Sequence, residues 1–395
     1  MGEEKSGCGT PRVKVGCLFA AIGGFCRAFV EAGGAVAWAN EKDRFAAKTF
    51  ALNFPEVRLI QKPIEELSVA GDGLEPVDVM TAGFPCQPFS VAGEKRGFKD
   101  GRGLLFLHLI RLIKEFGADK PRVLLLENVR HFRTHDQGRT FQRVQTEIQK
   151  AGYWFSERDA RVLNTATHTE IPQNRERIFM VAMSSGHFTA NTFAFPDPLP
   201  AGSLRAVREF LDLKRKAAAR YYFKPGSQYY PLFAEAVRKG RPDAVYQLRR
   251  NYVRENMSGL CFTLMANMGD GGHNHPVIKD RWGIRKMTPR ECARLQGYDD
   301  SWFKLPDERS VSWYQISKQI GNSVTVPLVA RIARNIIFEL EKANGGEVSS
   351  NGQRDRVDFS EERGRKGDGF SRRRRGNIQG KFRSLSGERG YSEQP

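Results

Sequence analysis

The sequence lacks the features that mark a metal-stapled, secreted or membrane protein. Its six cysteines form no Cys-x-x-Cys pair and stand near no histidine cluster, so we expect neither a disulfide framework nor a bound metal. No run approaches the roughly 18 apolar residues that a membrane helix needs. Residues 1–11 are polar and lack the apolar core of a signal peptide. The expected location is therefore the reducing cytoplasm, without contact with a membrane.

The chain is also short of acidic residues relative to basic ones. Lys and Arg number 63 against 45 Asp and Glu, which gives a formal net charge of +18. This imbalance favours a polyanionic partner, because each basic side chain placed on a phosphate releases counterions. A length of 395 residues is enough for one large domain and one smaller one.

Short apolar runs alternate with helical patterns in the first half of the chain, as in parallel strands joined by crossover helices. We predict strands at residues 13–19, 35–39, 78–82, 122–126 and 178–182. We predict helices at residues 25–32, 45–53, 104–116 and 141–151. The pattern indicates a doubly wound α/β domain over residues 12–191, with a mostly parallel sheet and ligands at the carboxyl ends of its strands.

The remainder of the chain divides into three parts. Residues 192–315 are aromatic, basic and rich in Gly and Pro up to residue 282, which predicts a smaller, irregular second domain; a capping box at residues 288–291 begins its bordering helix. Residues 316–343 end in a helix whose apolar stripe should pack on the first domain: Leu328, Ile332, Ile336 and Leu340. Residues 344–395 read as a disordered basic tail, either a phosphate binder or a segment without a role.

The loop that follows the first predicted strand is the first candidate site. Residues 19–24 read FAAIGG and open a helix, a setting in which glycines let the backbone approach a cofactor. Glu41 ends the next strand, where an acid in such folds accepts hydrogen bonds from ribose hydroxyls. Together they favour an adenosine-containing cofactor, the alternative being a tight turn and a surface glutamate.

A cysteine-containing loop is the second candidate. Cys86 lies in the segment GFPCQPFS at residues 83–90, directly after a predicted strand. A lone cysteine is usually a small buried hydrophobe, but a polar, proline-flanked loop at the sheet edge is where a reactive thiolate would be exposed. The glycines and basic residues of segment 93–103 suggest a mobile loop that closes over a substrate.

Charged residues border two further strands. Glu127 stands at the exit of an apolar strand, where partial desolvation should raise its pKa and let it share a proton with a ring nitrogen. Arg175 and Arg177 precede strand 178–182 and, two residues apart in an extended segment, should point the same way as fixed donors. Taken singly, each group is also explained as an ion pair at a strand end.

The order of these motifs resembles the DNA cytosine-5 methyltransferase family, of the prokaryotic modification-methylase type, over about 330 residues. The similar blocks are the cofactor loop 19–24, the nucleophile loop 83–90, the active-site loop 97–103, the acid motif 127–129, the arginine motif 173–177, the helix 285–298 that borders the target-recognition domain, and the last motif 319–324. The resemblance implies an S-adenosylmethionine-dependent methyltransferase fold. It also implies methylation of C5 of a cytosine in a specific duplex DNA site.

The resemblance further implies a role for each matching residue. Cys86 adds to C6 of a flipped-out cytosine, protonated Glu127 binds N3 and the N4 amine, Arg177 contacts O2, and Arg175 completes the catalytic set. The implied cofactor-binding residues are Phe19, Ala21, Ile22, Gly23, Gly24, Glu41, Ile64, Pro85, Leu105, Asn322, Ser323 and Val324. The implied DNA-binding residues are Gln87, Ser90, Arg102, Arg249, Arg250 and Thr263.

Within the second domain, Arg249, Arg250, Arg254 and Asn256 are candidate major-groove readers of guanine or phosphate, and for each arginine a plain phosphate contact is the simpler interpretation. His273 and His275 are predicted to be hydrogen-bonding loop residues rather than metal ligands.

The sequence departs from the family pattern at three cofactor positions. Ala21 stands where the family usually has Gly, Lys42 where an aromatic often follows the acid, and Pro63 where an Asp commonly precedes Ile64. The last two changes remove adenine contacts, and such losses typically cost about 1 kcal/mol apiece. We therefore expect weakened cofactor affinity rather than altered chemistry.

Two alternative functions remain at this point. One is an RNA cytosine-5 methyltransferase on the same scaffold, against which the long region 192–282 with its Thr-Leu pair argues. The other is a catalytically silent DNA-binding protein, against which the joint presence of Cys86, Glu127 and Arg177 argues. The expected partners are double-stranded DNA and a cognate restriction endonuclease, for a monomer associated with the nucleoid.

Overall fold

The apolar runs of the first half of the chain form one central sheet. A computed structural model describes residues 13–84, 104–241, 243–256, 258–269 and 274–345. The strands of this sheet are β1 (Lys14–Leu18), β2 (Ala35–Asn40), β3 (Arg58–Ile60), β4 (Val79–Gly83), β5 (Val123–Val129), β6 (Tyr153–Trp154), β7 (Ala160–Asn164) and β8 (Glu176–Ser184). Their order is β3-β2-β1-β4-β5-β8-β6, and β7 also pairs with β8.

Strands β1 to β5 are parallel to one another, and β8 is antiparallel to β5, β6 and β7. The predicted mainly parallel α/β sheet is thus confirmed, but its last strand runs opposite to the expected direction. The physical reason is the connection from β7 to β8, which spans only residues 165–175. A parallel return needs a crossover of a dozen or more residues, so β8 comes back antiparallel to β7.

The helices of the central domain lie close to their predicted bounds. They are α1 (Gly24–Glu31), α2 (Arg44–Asn53), α3 (Leu104–Glu115) and α4 (Arg139–Lys150), and a short helix that was not predicted, α5 (Thr165–His168), follows β7. Asp43 caps α2 by accepting hydrogen bonds from the backbone N–H groups of Phe45 and Ala46, at 2.8 and 3.0 Å. Within the described ranges, no helix combines the length and apolarity needed to cross a bilayer.

A second sheet occupies the region in which periodicity predicted irregular structure. Its strands are β9 (Tyr246–Arg249), β10 (Tyr252–Glu255), β11 (Pro276–Asp280) and β12 (Gly283–Lys286), all antiparallel in the order β10-β9-β11-β12. Helix α6 (Tyr230–Lys239) contributes Phe233 to the small core of this region. Each of these strands has only four or five residues and mixes polar with apolar side chains, so none shows the apolar run by which β1 and β4 were predicted. The domain boundary at residue 192 stays a prediction.

The last three helices return to the central sheet. They are α7 (Pro289–Arg294), α8 (Trp313–Asn322) and α9 (Val326–Ala343). Helix α7 begins with the predicted capping box between Thr288 and Glu291. All four residues of the predicted stripe on α9 are buried in the main core, and α9 packs against α1. Ser323 and Val324, between α8 and α9, lie next to Gly24 at the N-terminal end of α1.

A buried ion network fastens the second sheet to α7. The Arg285 guanidinium lies 2.7 Å from Asp280 Oδ2 and 2.7 Å from Glu291 Oε1, and all three side chains are fully buried. Replacing Arg285 with Met would leave two carboxylates buried without a cation. We expect Arg285→Met to lower the free energy of unfolding by about 3–5 kcal/mol.

Urea unfolding monitored by circular dichroism checks this expectation. The control is Lys239→Met, which removes an exposed lysine paired with Glu235 and should leave the unfolding midpoint unchanged. Equal midpoints for Arg285→Met and wild type would show that the network adds nothing to stability.

Candidate active site

The candidate site lies at the carboxyl ends of β4 and β5. Gly83 and Glu127 are register partners at these ends. A Cβ atom at Gly83 would lie 3.5 Å from Glu127 Oε2, so the carboxylate faces the start of the cysteine segment. Five predicted site residues fall in segment 85–103, outside the described residues: Pro85, Cys86, Gln87, Ser90 and Arg102.

Asn128 fixes the position of Phe84, the last described residue before segment 85–103, through a hydrogen bond. Its Nδ2 donates a hydrogen bond of 3.0 Å to the carbonyl of Phe84, and its Oδ1 accepts from the backbone N–H of Val129 at 2.8 Å. The Phe84 ring is buried between Phe106 and Phe132, at centroid distances of 5.4 and 5.5 Å. The chain is therefore fixed two residues before Cys86. Sequence reasoning placed Asn128 in the acid motif but gave it no role.

Glu127 and Arg177 form an ion pair within the site. Arg177 Nε lies 3.1 Å from Glu127 Oε1, and the two side chains are only 15% and 12% exposed. Burial raises the pKa of the Glu127 carboxyl, against the lowering effect of the positive charges of Arg177 and Arg175. The direction of the pKa shift is the one predicted from the position of Glu127 at the exit of a buried strand.

Arg175 is placed differently from Arg177. Its buried guanidinium donates to the carbonyls of Leu264 at 2.7 Å, Ser323 at 2.6 Å and Gly321 at 3.2 Å. The two arginines thus do not act as a pair of parallel donors at one point, because Arg175 precedes β8 and its side chain enters the interior. Arg175 instead ties the arginine motif to segments 261–264 and 321–324.

The predicted cofactor loop has an unusual backbone. Phe19 and Ala21 adopt left-handed φ values of 53° and 48°, and Gly23 one of 89°. Glu41 stabilises this conformation, since its Oε2 accepts from the backbone N–H of Ala21 and its Oε1 from that of Asp43, both at 2.8 Å. The side chain of Ile22 is fully buried in the core, so only its backbone is available to a ligand.

Four of the predicted cofactor residues line one small pocket beside this loop: Phe19, Glu41, Ile64 and Leu105. Lys42 and Lys62 line the same pocket. Close by in the fold, the N-terminus of α1 packs tightly on the last motif. A Cβ atom at Gly24 would lie 2.8 Å from both Ser323 Oγ and Val324 Cγ2, so only glycine fits there. Asn322 is exposed at the end of α8.

The segment that contains the Thr-Leu pair is bonded to the arginine motif. Thr263 Oγ1 donates to the carbonyl of Asn174 at 2.5 Å, and the backbone N–H of Leu264 donates to Gln173 Oε1 at 3.0 Å. These hydrogen bonds fix residues 261–264 against Gln173 and Asn174, which lie shortly before Arg177 in the chain. Sequence reasoning missed the role of Gln173 because its partner lies far away in the chain.

The candidate DNA-reading residues differ in their surroundings. Arg249 donates to Asn274 Oδ1 at 2.9 Å, and Arg250 is exposed in the turn between β9 and β10 with a φ of 50°. Arg254 is exposed and stacks on Phe262. Asn256 is buried, and its Oδ1 accepts hydrogen bonds from the backbone N–H and the hydroxyl of Ser258; its contact with DNA stays a prediction.

His273 and His275 were predicted to be hydrogen-bonding loop residues rather than metal ligands. Both ring nitrogens of buried His275 contact backbone carbonyls, those of Met268 at 2.9 Å and Met287 at 2.8 Å, as expected of a loop hydrogen-bonder. His273 lies outside the described residues. Within the described part of the chain, no group of three or more His, Cys, Asp and Glu side chains could hold a metal ion.

Comparison with known proteins identifies the family. The model of the C-5 cytosine-specific DNA methylase family matches residues 13–338. Type II methyltransferase M.Bsp6I from Bacillus sp. (strain RFL6) is 40% identical over 329 residues, covering 82% of this chain and 98% of that protein. Type II methyltransferase M.HhaI from Haemophilus parahaemolyticus is 32% identical over 336 residues, covering 81% and 92%.

Solved structures at lower identity share the fold. The S. pombe Dnmt2 methyltransferase superposes with a TM-score of 0.60 at 18% identity, over 83% of this chain and 99% of that chain. Entamoeba histolytica methyltransferase EhMeth gives 0.61 at 16% identity, over 84% and 99%. The family match and the type II relatives show that this chain belongs to the C-5 cytosine-specific DNA methylase family and is a DNA cytosine-5-methyltransferase.

Proposed function

We propose that this enzyme methylates C5 of a flipped-out cytosine in a specific duplex DNA sequence through a covalent bond between Cys86 and C6. The observation that carries the proposal is the buried pair of Glu127 and Arg177, which lies beside the strand end that leads to Cys86. Cytosine offers N3, the N4 amine and O2 along one edge. A protonated carboxyl and a guanidinium side by side match that edge.

Cys86, Glu127 and Arg177 each have a separate role in the proposed reaction. As the Cys86 thiolate bonds to C6, electron density moves into the ring, and Glu127 gives its proton to N3 so that the charge is neutralised. Arg177 keeps Glu127 in place and donates to O2. C5 thereby becomes nucleophilic. Once C5 has been methylated, it loses its proton to water, the bond from sulfur to C6 breaks and the thiolate leaves, and N3 returns its proton to the Glu127 carboxylate.

S-adenosylmethionine, when bound, would supply the electrophilic methyl group. The residues that line the small pocket beside the cofactor loop suit this group chemically, since the Glu41 carboxylate can accept from ribose hydroxyls and Phe19, Ile64 and Leu105 are apolar. Each oxygen of Glu41 already accepts one backbone N–H, and a carboxylate has room for about four hydrogen bonds. Lys42 and Pro63 supply no aromatic face or carboxylate, which supports the expectation of weakened affinity.

We further propose that the enzyme acts as a monomer on DNA in the nucleoid, together with a cognate restriction endonuclease. The type II names of its relatives support the restriction-modification setting. Arg249 and Arg250 near the turn between β9 and β10 supply positive charge to the duplex, and Thr263 positions the neighbouring backbone.

The test is methylation of duplex DNA by the purified enzyme with isotope-labelled S-adenosylmethionine, followed by bisulfite sequencing of the product. We expect 5-methylcytosine at one defined sequence. Transfer to RNA but not to DNA, or no transfer at all, would refute the proposal.

A prediction about Asn128 follows from its hydrogen bond to Phe84. Asn128→Asp keeps the size of the side chain but removes the donor, leaving the buried Phe84 carbonyl without its partner. Losing such a bond costs about 1–3 kcal/mol, and we expect kcat to fall about 10- to 100-fold while KM for DNA stays near the wild-type value.

Steady-state kinetics on the duplex substrate measure both constants for Asn128→Asp. The control is Asn53→Asp on α2, which removes a donor to the carbonyls of Thr49 and Lys304 away from the site. A change confined to the melting temperature, or one shared by both variants, would assign Asn128 to stability alone.

A further inference from the structure

Arg254 has a rigid support and free hydrogen-bond donors. Its Cζ lies 4.3 Å from the centroid of the Phe262 ring, so the guanidinium stacks on the aromatic face. Among the described residues it donates no hydrogen bond and forms no ion pair. Arg249, on the adjacent strand, differs because it is already bonded to Asn274. Stacking holds the guanidinium plane while leaving its N–H groups available at the edge.

Phe262, the ring that supports Arg254, is itself held close to the candidate active site. Phe262 is only 5% exposed, and both of its chain neighbours are bonded to the arginine motif region. The backbone N–H of Cys261 donates to the carbonyl of Pro172 at 2.6 Å, and Thr263 donates to that of Asn174 at 2.5 Å. Arg254 is thus held by a segment that is bonded to Pro172 and Asn174, shortly before Arg177 in the chain.

An open pocket of about 350 Å³ lies beside the stacked pair, lined by Asn174, Arg254, Glu255, Asn256, Ser258, Phe262 and Thr263. The polar groups that could neutralise Arg254 are engaged elsewhere. Glu255 pairs with Arg241 at 3.4 Å, and the Asn256 Oδ1 accepts from Ser258. Tyr252, two residues before Arg254 and on the same face of β10, is 55% exposed, so no described element covers this face.

The pocket is near enough to the target cytosine to belong to its recognition sequence. Asn174 precedes Arg177 by three residues, which span at most about 11 Å between Cα atoms. Successive bases of B-DNA rise about 3.4 Å per step, so this distance corresponds to about three base pairs. A base contacted from the pocket is therefore a close neighbour of the cytosine at Glu127.

We propose that Arg254, supported by Phe262, reads a guanine of the target sequence through the major groove. Guanine presents two acceptors there, N7 and O6, and a guanidinium edge matches both at once. Because the Phe262 ring holds the Arg254 guanidinium in place, its free N–H groups can face N7 and O6 of guanine together. A contact with a phosphate does not require a guanidinium of fixed orientation. The inference rests on the proposed function, because it requires duplex DNA with a cytosine at Glu127.

The experiment uses the full chain and starts from the site found by bisulfite sequencing. Single-turnover methylation rates are measured on a set of duplexes, each with one base pair of the site replaced. The variants are Arg254→Ala, Arg254→Lys and Phe262→Leu. The matched control is Arg238→Ala, which removes the same charge from an exposed position on α6.

We expect Arg254→Ala to lose discrimination at one guanine position and to keep it at the others. Loss of a bidentate contact is worth about 5- to 150-fold in rate on the unaltered site. Arg254→Lys should restore little, because an ammonium lacks the paired edge, and Phe262→Leu should change the preference at the same position. Arg238→Ala should discriminate like wild type.

A modified base isolates the contact. When that guanine is replaced by 7-deazaguanine, which lacks the N7 acceptor, the wild-type rate should fall, whereas the Arg254→Ala rate should not change further. If Arg254→Ala slows methylation equally on every duplex and reduces the salt dependence of binding by about one phosphate contact, Arg254 binds phosphate and the inference is wrong.

The outcomes also separate this inference from the proposed function. If wild type methylates no duplex DNA, the proposed function fails. If wild type methylates a defined site and Arg254→Ala keeps full discrimination at every position, only the assignment of Arg254 fails. Thermal melting of each variant shows whether it is folded, and the wild-type comparison with 7-deazaguanine tests the N7 contact even if Phe262→Leu does not fold.

Discussion

Replacing Cys86 with alanine is expected to abolish methyl transfer while leaving specific DNA binding largely intact. The thiolate forms the bond to C6, and alanine has no atom that can replace it. The cysteines within the described ranges cannot substitute, since Cys17, Cys26, Cys261 and Cys292 are all buried. Burial also raises the pKa of the Cys261 thiol to about 12, so this group stays protonated and unreactive near neutral pH.

The measurement is transfer of labelled methyl groups to duplex DNA, next to a DNA-binding titration. A duplex with 5-fluorocytosine at the target adds a direct readout, because C5 then has no proton to lose and the bond to sulfur should persist. Wild type and a Cys292→Ala control should remain attached to this duplex under denaturing conditions. Turnover above background in Cys86→Ala would refute the assignment of the nucleophile.

The sequence alone predicted most of the central sheet because its signals are local. The buried strands β1, β2, β4 and β5 are apolar runs, and α1 to α4 show helical spacing over eight or more residues. The strands that escaped prediction, β3, β6 and β7, have two to five residues. β3 and β6 are too short to show a period, whereas β7, although as long as β1 and β4, mixes polar with apolar residues instead of forming an apolar run.

The sequence predicted the site residues that bind a common substrate, but it did not predict the hydrogen bonds that join segments far apart in the chain. Glu127 and Arg177 were expected to meet a common substrate, and the structure pairs them directly. The orientation of Arg175 depends on carbonyls of residues 264, 321 and 323, which folding brings together from segments far apart in the chain. Long-range contacts of this kind leave no periodic or compositional trace in a single sequence.

Replacing Glu127 with glutamine is expected to lower the rate of methylation by about 10²-fold or more, the usual scale of a lost general acid. Glutamine keeps a donor near N3 but has no proton to give up, so charge pushed into the ring by Cys86 is no longer neutralised. Binding to DNA that contains the target cytosine should change much less. Single-turnover methylation and a DNA-binding titration compare wild type, Glu127→Gln and an exposed control, Glu157→Gln.

The pH dependence gives a second test of the same role. Burial raises the pKa of Glu127, and the protonated form is the active one. The wild-type rate constant should therefore fall as pH rises through this raised pKa, on top of any rise that reflects formation of the Cys86 thiolate. Glu127→Gln cannot titrate, so its profile should lack that falling limb. If the variant keeps the same falling limb, or if DNA binding collapses together with the rate, the carboxyl serves position or stability and another group supplies the proton.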